Sequence, residues 1–481
     1  MASRPRLSQK TLASLPRAVE RPGYDRGATL PGIVHFGPGA FQRAHIASYV
    51  EKLLPRDPRW GIAAIALRTG ALGHALAEQD FLYTLAELDE PPRYRVLGAL
   101  KDYVVAPVDR ARGLARLDDP RARLITMTVT EKGYCLDAAG ALDLAHSDIA
   151  HDLANPVLPV SLVGWLSQCL ARRRDAKLPP PVVMSCDNVM SNGPKLRRAV
   201  LAFAGALGRS DLATWIESNV RFPATMVDSI TPASDEALRA RVAAAIGLED
   251  LAPVQRESFA QWVIEDDLGP AAPDLAACGA QLTHDVHAWE LAKLRLLNGA
   301  HSTLAYVGLL LGRATVGEAI RDARLGPFVE RLMREDIAAT LKPTRGLDIP
   351  DYIAALLRRL RSPAVTHRLI QIAADGSQKL PYRLLETIAD LLATGRPIAR
   401  PGAAVAAWMR FVRNAARRGE ALNDPLAAKL AGIGASCTGA GADDVPRFLA
   451  LREVFPLGLA RDPRLVAALT PAYDDLDAAL V

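Results

Sequence analysis

The first part of the chain, up to about Leu282, alternates short apolar runs with longer amphipathic segments. The apolar runs are rich in Val, Ile and Leu, and the clearest of them are GIVHF, GIAAIAL, RLITMTV and PVVMSC. Amphipathic stretches lie between them, such as GALGHALAEQ after the second run and VSLVGWLSQCLARRRDA before the fourth. Buried strands separated by helical segments are typical of a parallel sheet with crossover helices. We therefore predict an α/β domain in this part of the chain.

After about Asp285 the pattern changes, and apolar residues recur at helical spacing almost throughout. The clearest examples are AWELAKLRLLNGAHSTLAYVGLLL, GEAIRDARLGPFVERLMREDIAATL and YRLLETIADLLATG. With 481 residues, the chain is also longer than one hydrophobic core usually serves. We predict two domains, an α/β domain over residues 1–285 and a mostly α-helical domain over residues 286–481.

The composition narrows the class of protein. Hydrophobic residues make up 50% of the chain and charged residues 23%, which indicates a compact folded protein. The net charge is +5, and the basic residues are scattered, so nucleic acid is not an expected partner. The longest apolar run, Thr303 to Gly312, is about half of the roughly 20 residues that span a bilayer, so we expect no membrane insertion.

The cysteines and the N-terminal segment bear on location and metal binding. Five scattered cysteines without a CxxC pair indicate neither a disulfide framework nor a zinc ribbon. The N-terminal segment has no apolar core of signal-peptide length, so we expect a cytoplasmic protein. The histidines of HDVHAWE, His284 to Glu290, have a spacing that fits no compact site, so no metal ion is expected.

A glycine turn, GPGAFQRAH, follows the first predicted strand. In a dinucleotide-binding fold such a turn lets backbone amides approach the pyrophosphate at a helix N-terminus, and Gly37 and Gly39 have the required positions. The third glycine of that fingerprint is replaced by Gln42, so the glycines alone fit an ordinary strand-to-helix turn equally well. Arg43 favours the dinucleotide, because a cation in the first helical turn is unfavourable unless it faces an anion.

The end of the second predicted strand bears on the choice of cofactor. An acid is expected there if the cofactor is NAD, but none occurs before Glu78. Arg68 and Thr69 follow the strand instead, and an arginine at this place can accept the additional phosphate of NADP. A solvated surface arginine is the other interpretation of Arg68.

Three polar residues of the largely apolar segment WELAKLRLLNGAHSTLAY are candidates for catalysis. On an ideal helix with about 100° per residue, Lys293, His301 and Asn298 fall at roughly 0°, 80° and 140°, on one side. Single buried polar residues usually make packing hydrogen bonds, and that interpretation stays open for His301. A lysine acts as a base near neutral pH only when it is desolvated or close to other cations, and the surrounding leucines can bury Lys293.

Two further segments carry candidate polar groups. SCDNVMSNG follows a predicted strand, so Asn188 and Asn192 lie at the carboxyl edge of the sheet, where ligands bind in open sheets. Their amides can stabilise an oxyanion, although asparagines are also common in turns. DGSQKLPYR, Asp375 to Arg383, is predicted to be a loop that carries Lys379 between two helices.

Taken together, several motifs resemble the mannitol dehydrogenase family of polyol-specific long-chain dehydrogenases and reductases. They occur in the family's order over nearly the whole chain: GPGAFQRAH, TVTEKGYC, SCDNVMSNG, TMVDSITPA, QWVIED, KLRLLNGAHSTLAYVG and DGSQKLP. The resemblance implies a Rossmann-type domain, a helical domain and metal-free hydride transfer with NAD or NADP. NAD is slightly preferred by this resemblance, and Arg68 leaves NADP open.

The resemblance also implies roles for matching residues. Lys293 is similar to the family's general acid-base, Asn188 and Asn298 to the donors that hold the substrate oxygen, and His301 to the group that orients it. We predict Glu290 as a proton relay, with a helix ion pair as the alternative. The expected cofactor-binding residues are Gly37, Gly39, Phe41, Arg43, Arg68 and Glu131, and the expected substrate-binding residues are Lys379, Arg368, His367 and Asp228.

Within the family, HRLIQIAADGSQKLPYR, TVTEKGYC and HDLANP are closer to fructuronate reductases, or mannonate oxidoreductases, than to mannitol 2-dehydrogenases. In the latter an arginine often stands where Gln371 is here. A hexuronate carboxylate needs a cation, and His367, Arg368, Lys379 and Arg383 are candidates. Mannitol 2-dehydrogenase or another polyol dehydrogenase (D-mannitol/D-fructose, D-arabinitol/D-xylulose) is the first alternative, and a catalytically silent cofactor-sensing protein is a distant one. The family resemblance also favours a monomer.

Overall fold

The computed structural model describes residues 4–137, 139–363 and 367–480. The chain divides into two compact units, Met1–His287 and Ala288–Val481. The strands all lie in the first unit: β1 (Ile33–Phe36), β2 (Ile62–Ala66), β3 (Tyr83–Leu88), β4 (Arg93–Leu97), β5 (Leu100–Val105), β6 (Leu124–Met127), β7 (Val182–Ser185), β8 (Thr225–Asp228), β9 (Val254–Glu257), β10 (Gln261–Glu265) and β11 (Gln281–Thr283).

The helices of the first unit are short and connect these strands: α1 (Ala40–Ala44), α2 (Ile46–Leu53), α3 (Ala71–Ala77), α4 (Arg110–Leu117), α5 (Ser147–Ala154), α6 (Leu162–Asp175), α7 (Asn192–Ala206), α8 (Ser210–Asn219) and α9 (Glu236–Ile246). Helix α10 (Val286–Ala292) lies at the boundary between the units. Short 3₁₀ segments cover Leu12–Ser14, Glu131–Tyr134 and Ala276–Cys278.

A five-stranded sheet with the order β5-β2-β1-β6-β7 is the centre of the first unit. Every pairing in it is parallel. The strand order reverses direction between β1 and β6, and crevices outside the carboxyl ends of strands at such a point bind ligands in doubly wound folds. The four strands predicted from apolar runs are β1, β2, β6 and β7, so the prediction of a parallel α/β domain is confirmed.

Side chains that alternate along these strands build two cores, one on each face of the sheet. Leu124 packs into one core, while Ile125 and Met127 of the same strand pack into the other. Because both faces are covered by helices, the strands are apolar at nearly every position. Two three-stranded sheets, β11-β10-β8 and β4-β3-β9, complete this unit.

Among its described residues, the second unit consists of helices: α11 (Gly299–Leu310), α12 (Val316–Arg321), α13 (Leu325–Arg331), α14 (Ile349–Arg361), α15 (Leu369–Ile372), α16 (Gly376–Leu380), α17 (Glu386–Ala393), α18 (Ala399–Arg418), α19 (Ala427–Ser436), α20 (Gly441–Leu449), α21 (Leu457–Ala460), α22 (Pro463–Asp474) and α23 (Leu476–Ala479). A 3₁₀ segment covers Ala338–Thr340. The prediction of a helical second half is confirmed. Over the residues with described structure, no helix is both long and apolar enough to cross a membrane.

Helix α11 is the centre of the second unit. Its residues from Gly299 to Gly308 are all buried, and it packs against α18, α15 and α12. A helix that is apolar all round is typical of a position inside the core. The polar groups of α11, such as His301, Ser302 and Thr303, therefore lie within this packed region.

The helical run of the second unit contains π-helical segments at Lys293–Asn298, Leu332–Ile337 and Pro381–Leu385. A π-helix has i→i+5 hydrogen bonds and often marks a functional site. Since the first segment begins at Lys293 and ends at Asn298, the ideal 100° spacing used to place these residues does not hold there. The angles predicted for Lys293, Asn298 and His301 around an ideal α-helix therefore do not apply in this segment.

Candidate cofactor cavity and catalytic residues

The glycine turn after β1 has a backbone that favours glycine. Gly37 has φ +81°, and a Cβ atom there would lie 2.3 Å from the carbonyl oxygen of Thr128. The Thr128 hydroxyl donates a hydrogen bond of 2.7 Å to the Gly37 carbonyl. The turn is therefore held tightly against the end of β6.

A buried histidine supports this arrangement. His35 lies between two threonines, with Nδ1 2.7 Å from Thr126 Oγ1 and Nε2 3.0 Å from Thr128 Oγ1. Burial lowers the pKa of His35 to about 3, so the ring is neutral at physiological pH. Because the Thr128 proton is donated to Gly37, we infer that His35 Nε2 carries the ring proton and donates to Thr128.

A cavity of about 350 Å³ lies at this edge of the sheet. Its wall is formed by the glycine turn, the ends of β2 and β6, the 3₁₀ segment Glu131–Tyr134 and the start of α6. The lining residues are Gly37, Pro38, Gly39, Ala66, Leu67, Arg68, Thr69, Leu72, Tyr103, Thr128, Val129, Lys132, Gly133, Cys135, Asp148, Val160, Ser161 and Leu162. Its size and mixed apolar and polar lining fit a ligand site.

Three of the residues predicted to bind cofactor, Gly37, Gly39 and Arg68, line this cavity. Phe41 lies outside the lining and stacks on the His45 ring with centroids 4.8 Å apart. Glu131 is exposed at the start of the 3₁₀ segment, while the next two residues of that segment reach the cavity.

Arg43 also lies outside the cavity lining. Helix α1 has only five residues, so Arg43 falls in its last turn and not in a first turn that faces an anion. The side chain is buried, Nη1 donates to the Ala252 carbonyl at 2.5 Å, and the guanidinium lies 5.3 Å from the centre of the Tyr83 ring. These contacts hold part of the guanidinium inside the protein, so the position of Arg43 gives no argument for an external anion.

At the end of β2, Arg68 forms an ion pair with Asp148 of α5, with Nη2 and Oδ2 2.9 Å apart. The Arg68 side chain is 79% exposed. An exposed ion pair contributes little to stability, so either partner can be redirected towards a ligand at small cost. An aspartate from another element, α5, therefore lies next to Arg68 at the end of β2.

The end of β7 carries a buried carboxyl group that the sequence pattern did not single out. Asp187 accepts hydrogen bonds from the Thr130 amide at 2.8 Å and the Tyr134 hydroxyl at 3.0 Å. Burial raises the pKa of Asp187. Thr130 has φ +67° and ψ 166°, a conformation found almost only in glycine, so Asp187 holds a strained loop next to the cavity wall.

The two asparagines after β7 differ in environment. Asn192 is fully buried, its Nδ2 donates to the carbonyls of Asp187 and Thr225, and its Oδ1 accepts from the Thr225 amide. It therefore has a structural role in this turn. Asn188 is exposed, so its amide is accessible from solvent.

In the second unit, the candidate catalytic residues lie on α10, the π-helical segment and α11. Lys293 is buried at 8% exposure, Glu290 at 6% and His301 at 8%. Asn298 ends the π-helical segment, and its carbonyl accepts a hydrogen bond from Arg383. Glu290 and Lys293 are three residues apart, a spacing at which side chains on a helix are neighbours.

The segment predicted to be a loop around Lys379 is helical, and that prediction is wrong. The chain turns at Asp375, which has φ +55°, and then continues as α16, the π-helical segment Pro381–Leu385 and α17. Glycine and proline suggested a loop, but Pro381 lies where the helix adopts i→i+5 bonding and its missing amide is tolerated.

Lys379 and Arg383 are two cations on this helical run. Lys379 Nζ donates to the Ala374 carbonyl at 2.6 Å and lies 3.6 Å from Asp375 Oδ2. Burial and the charge of Arg383 lower the pKa of Lys379. Arg383 Nη1 donates to Ser302 Oγ of α11 at 3.1 Å, so this cation lies beside the helix that carries His301.

The other predicted substrate-binding residues have separate environments. The His367 ring contacts the His301 ring edge to face, with centroids 5.7 Å apart. Burial, followed by the charge of Arg359, lowers the pKa of His367, which favours its neutral form. Arg368 is exposed at the start of α15, and Asp228 is buried at the end of β8 in the first unit.

The parallel sheet, its order and the glycine turn at the reversal point define the first unit as a Rossmann-type domain. Comparison with known families gives the same result: residues 31–276 match the mannitol dehydrogenase Rossmann domain, and residues 285–477 match the mannitol dehydrogenase C-terminal domain. The chain belongs to the mannitol dehydrogenase family, and it is an oxidoreductase.

Individual relatives are similar over most of their length. The D-mannonate oxidoreductase of Escherichia coli is 39% identical, covering 95% of this chain and 96% of that protein. The polyol:NADP oxidoreductase of Gluconobacter oxydans is 38% identical over 86% of each chain. The structure of Pseudomonas fluorescens mannitol 2-dehydrogenase in ternary complex with NAD and D-mannitol is 34% identical, with a TM-score of 0.82, covering 99% of this chain and 98% of that one. The predicted family and enzyme class are confirmed.

Proposed function

We propose that the protein interconverts D-mannonate and D-fructuronate by hydride transfer with a nicotinamide cofactor. The Lys379 and Arg383 pair is the observation that carries the choice of a sugar acid. Their mutual repulsion in a half-buried region is relieved when a carboxylate binds between or beside them. The similarity to a protein named D-mannonate oxidoreductase supports the same substrate.

The cavity of the first unit is the proposed binding site of the dinucleotide. Gly39 lines it and has no neighbouring atom closer than 3.9 Å to an added Cβ, so an anion can approach its backbone. We propose that Gly37 and Gly39 hold the pyrophosphate, and that Arg68 and Thr69 lie at the ribose. When bound, the nicotinamide supplies the hydride acceptor or donor.

NAD and NADP differ by one phosphate, and Arg68 is the residue that can respond to it. Arg68 is paired with Asp148 and is highly exposed, so a phosphate can compete for the guanidinium. Similarity to one protein named for NADP and to another crystallised with NAD supports use of either cofactor. We propose NAD as the preferred cofactor, with NADP also accepted.

The protein's own groups perform the proton transfer. In oxidation, the neutral amine of Lys293 removes the hydroxyl proton of the substrate, and the resulting ammonium returns it in reduction. The Asn298 amide donates a hydrogen bond to the oxygen as alkoxide character develops, and His301 orients it. Glu290, one turn before Lys293, passes the proton towards solvent.

The burial of Lys293 supports its role as the base, because a desolvated amine holds its proton less strongly. Lys293→Ala is expected to lower kcat by roughly 10²–10⁴-fold, the usual contribution of general acid-base catalysis. NADH binding, measured by fluorescence titration, should stay within about twofold of the wild type. Lys342→Ala, at an exposed lysine, is the matched control. Wild-type turnover in Lys293→Ala would exclude Lys293 as the base.

A polyol such as D-mannitol is the second candidate substrate, because the NAD and D-mannitol complex of a mannitol 2-dehydrogenase has a similar fold over its whole length.

We also propose a cytoplasmic monomer, and the presence of all five cysteines as free thiols fits a reducing compartment. Light scattering coupled to size exclusion tests the monomer directly, with the 51.6 kDa chain mass as the expected result.

A further inference from the structure

Three side chains beside the cavity form a group that the proposed catalysis does not use. They are Cys135, His146 and Asp148, which offer a thiol sulfur, an imidazole nitrogen and a carboxylate oxygen. These donor atoms all lie within 4.8 Å of one another. Cys135 and Asp148 also line the cavity, so the group borders the space assigned to the cofactor.

Local hydrogen bonds hold the three residues in place. The Asp143 amide donates to the Cys135 carbonyl at 2.9 Å, and the His146 amide donates to the Asp143 carbonyl at 3.1 Å. His146 is the N-cap of α5, and its Nδ1 accepts from the Asp148 amide at 3.2 Å. The backbone therefore presents the donors together before any metal binds.

We propose that Cys135, His146 and Asp148 bind Zn²⁺, with the fourth coordination position open to water. A set of one sulfur, one nitrogen and one oxygen donor suits zinc, whereas Mg²⁺ and Ca²⁺ prefer oxygen donors alone. Tetrahedral zinc with bonds of about 2.0–2.3 Å needs donors roughly 3.5 Å apart. Side-chain movements of about 1 Å bring the observed donors to that spacing.

Zinc binding changes the bonds of each ligand in a defined way. A Zn–S bond forms at Cys135, and the thiol proton leaves to solvent. Asp148 exchanges its ion pair with Arg68 for a bond to zinc, and this pair is easily broken because the Arg68 side chain is 79% exposed. The imidazole exchanges its hydrogen bond with the Asp148 amide for the metal.

The cavity wall also gains charge. Without metal, Arg68 and Asp148 cancel and the thiol is neutral, whereas with Zn²⁺, a thiolate, a carboxylate and Arg68 the sum is one positive charge. If the cavity is the cofactor site, as proposed above, Arg68 is released towards a phosphate. Zinc is then expected to shift the ratio of NADPH to NADH affinity in favour of NADPH.

The test uses the full chain after removal of metals. Zn²⁺ is titrated by calorimetry, and Co²⁺ by absorption, since a cobalt–thiolate bond gives a near-ultraviolet charge-transfer band. We expect one equivalent of Zn²⁺ and the thiolate band with Co²⁺. Cys135→Ser should abolish the band and weaken Zn²⁺ binding at least tenfold, while Cys437→Ser, at another buried free cysteine, should leave both unchanged.

His146→Gln and Asp148→Asn should each weaken Zn²⁺ binding at least tenfold, which keeps the test decisive if Cys135→Ser does not fold. Absence of the cobalt–thiolate band in the wild type, or unaltered Zn²⁺ binding in all three ligand variants, would overturn the site. Cofactor titrations with and without Zn²⁺ test the coupling separately. An unchanged NADPH to NADH ratio with zinc bound would contradict the coupling and leave the metal site standing.

Discussion

The glycine turn offers a pair of substitutions that separates a structural role from a role in cofactor binding. At Gly37 the φ of +81° and the 2.3 Å distance from an added Cβ to the Thr128 oxygen both oppose a side chain. An L-residue in this region costs roughly 1–2 kcal/mol, and relief of the backbone clash adds a similar amount. We predict that Gly37→Ala lowers the free energy of unfolding by about 2–4 kcal/mol.

Gly39 is the matched position, since it is two residues away and lines the same cavity. Its backbone is an ordinary extended conformation, with φ −79° and ψ −168°, and an added Cβ would meet only the Gly37 oxygen at 3.9 Å. Gly39→Ala should therefore change stability by less than about 1 kcal/mol. Its methyl group would occupy the space through which a pyrophosphate approaches the backbone, so NADH affinity should fall about tenfold or more.

Thermal unfolding and fluorescence titration with NADH measure the two effects. For a unit of this size, a loss of about 2–4 kcal/mol corresponds to a Tm lower by roughly 3–7 °C. Gly37→Ala with wild-type Tm would refute the conformational argument. Gly39→Ala with wild-type stability and wild-type NADH affinity would refute the assignment of the turn to the cofactor.

Three further changes test separate parts of the account. Arg68→Ala should weaken NADPH about tenfold and NADH little, by fluorescence titration, and equal losses would contradict a phosphate contact. Lys379→Gln should lower kcat/KM for D-fructuronate about tenfold and should lower kcat/KM for D-fructose less. The control variant Lys342→Gln should change neither value. Equal losses on the two substrates would contradict a carboxylate contact. Burial raises the pKa of Glu51 from 4.5 to about 7. Between these two pH values the folded state keeps a proton that the unfolded state loses, so the free energy of unfolding falls as pH rises, by on the order of 3 kcal/mol. Urea unfolding should show a decline in Glu51→Gln that is smaller by about this amount than in the wild type and in Glu236→Gln, at an exposed acid. An equal decline in all three proteins would exclude a contribution from Glu51.

The fold was predictable where burial dictates residue type. Strands that are covered on both faces consist of consecutive apolar residues, which are easy to detect in the sequence. This holds for the strands around Val34, Ile65, Ile125 and Val183. The helical second half is equally regular in its spacing. The same logic places Gly37, Gly39 and Arg68 at carboxyl ends of neighbouring strands, where they line the cavity.

Other features depend on contacts between distant residues, which a sequence pattern does not contain. The buried position of Arg43 follows from Ala252 and Tyr83, far along the chain, and the pairing of Arg68 with Asp148 joins β2 to α5. The π-helical bonding at Lys293 has no local signal in the sequence. The position of Thr128 in the cavity lining could have been predicted, because Thr128 follows a strand next to the reversal point of the sheet.

The most direct test of the proposed function is reduction of D-fructuronate, D-tagaturonate and D-fructose in parallel, following oxidation of NADH and of NADPH separately. We predict turnover of D-fructuronate with a kcat/KM at least tenfold above that for D-fructose, and faster turnover with NADH than with NADPH. Preference for D-fructose would contradict the sugar-acid proposal and identify a mannitol-type activity, and absence of turnover with all three ketones would contradict the proposed reaction.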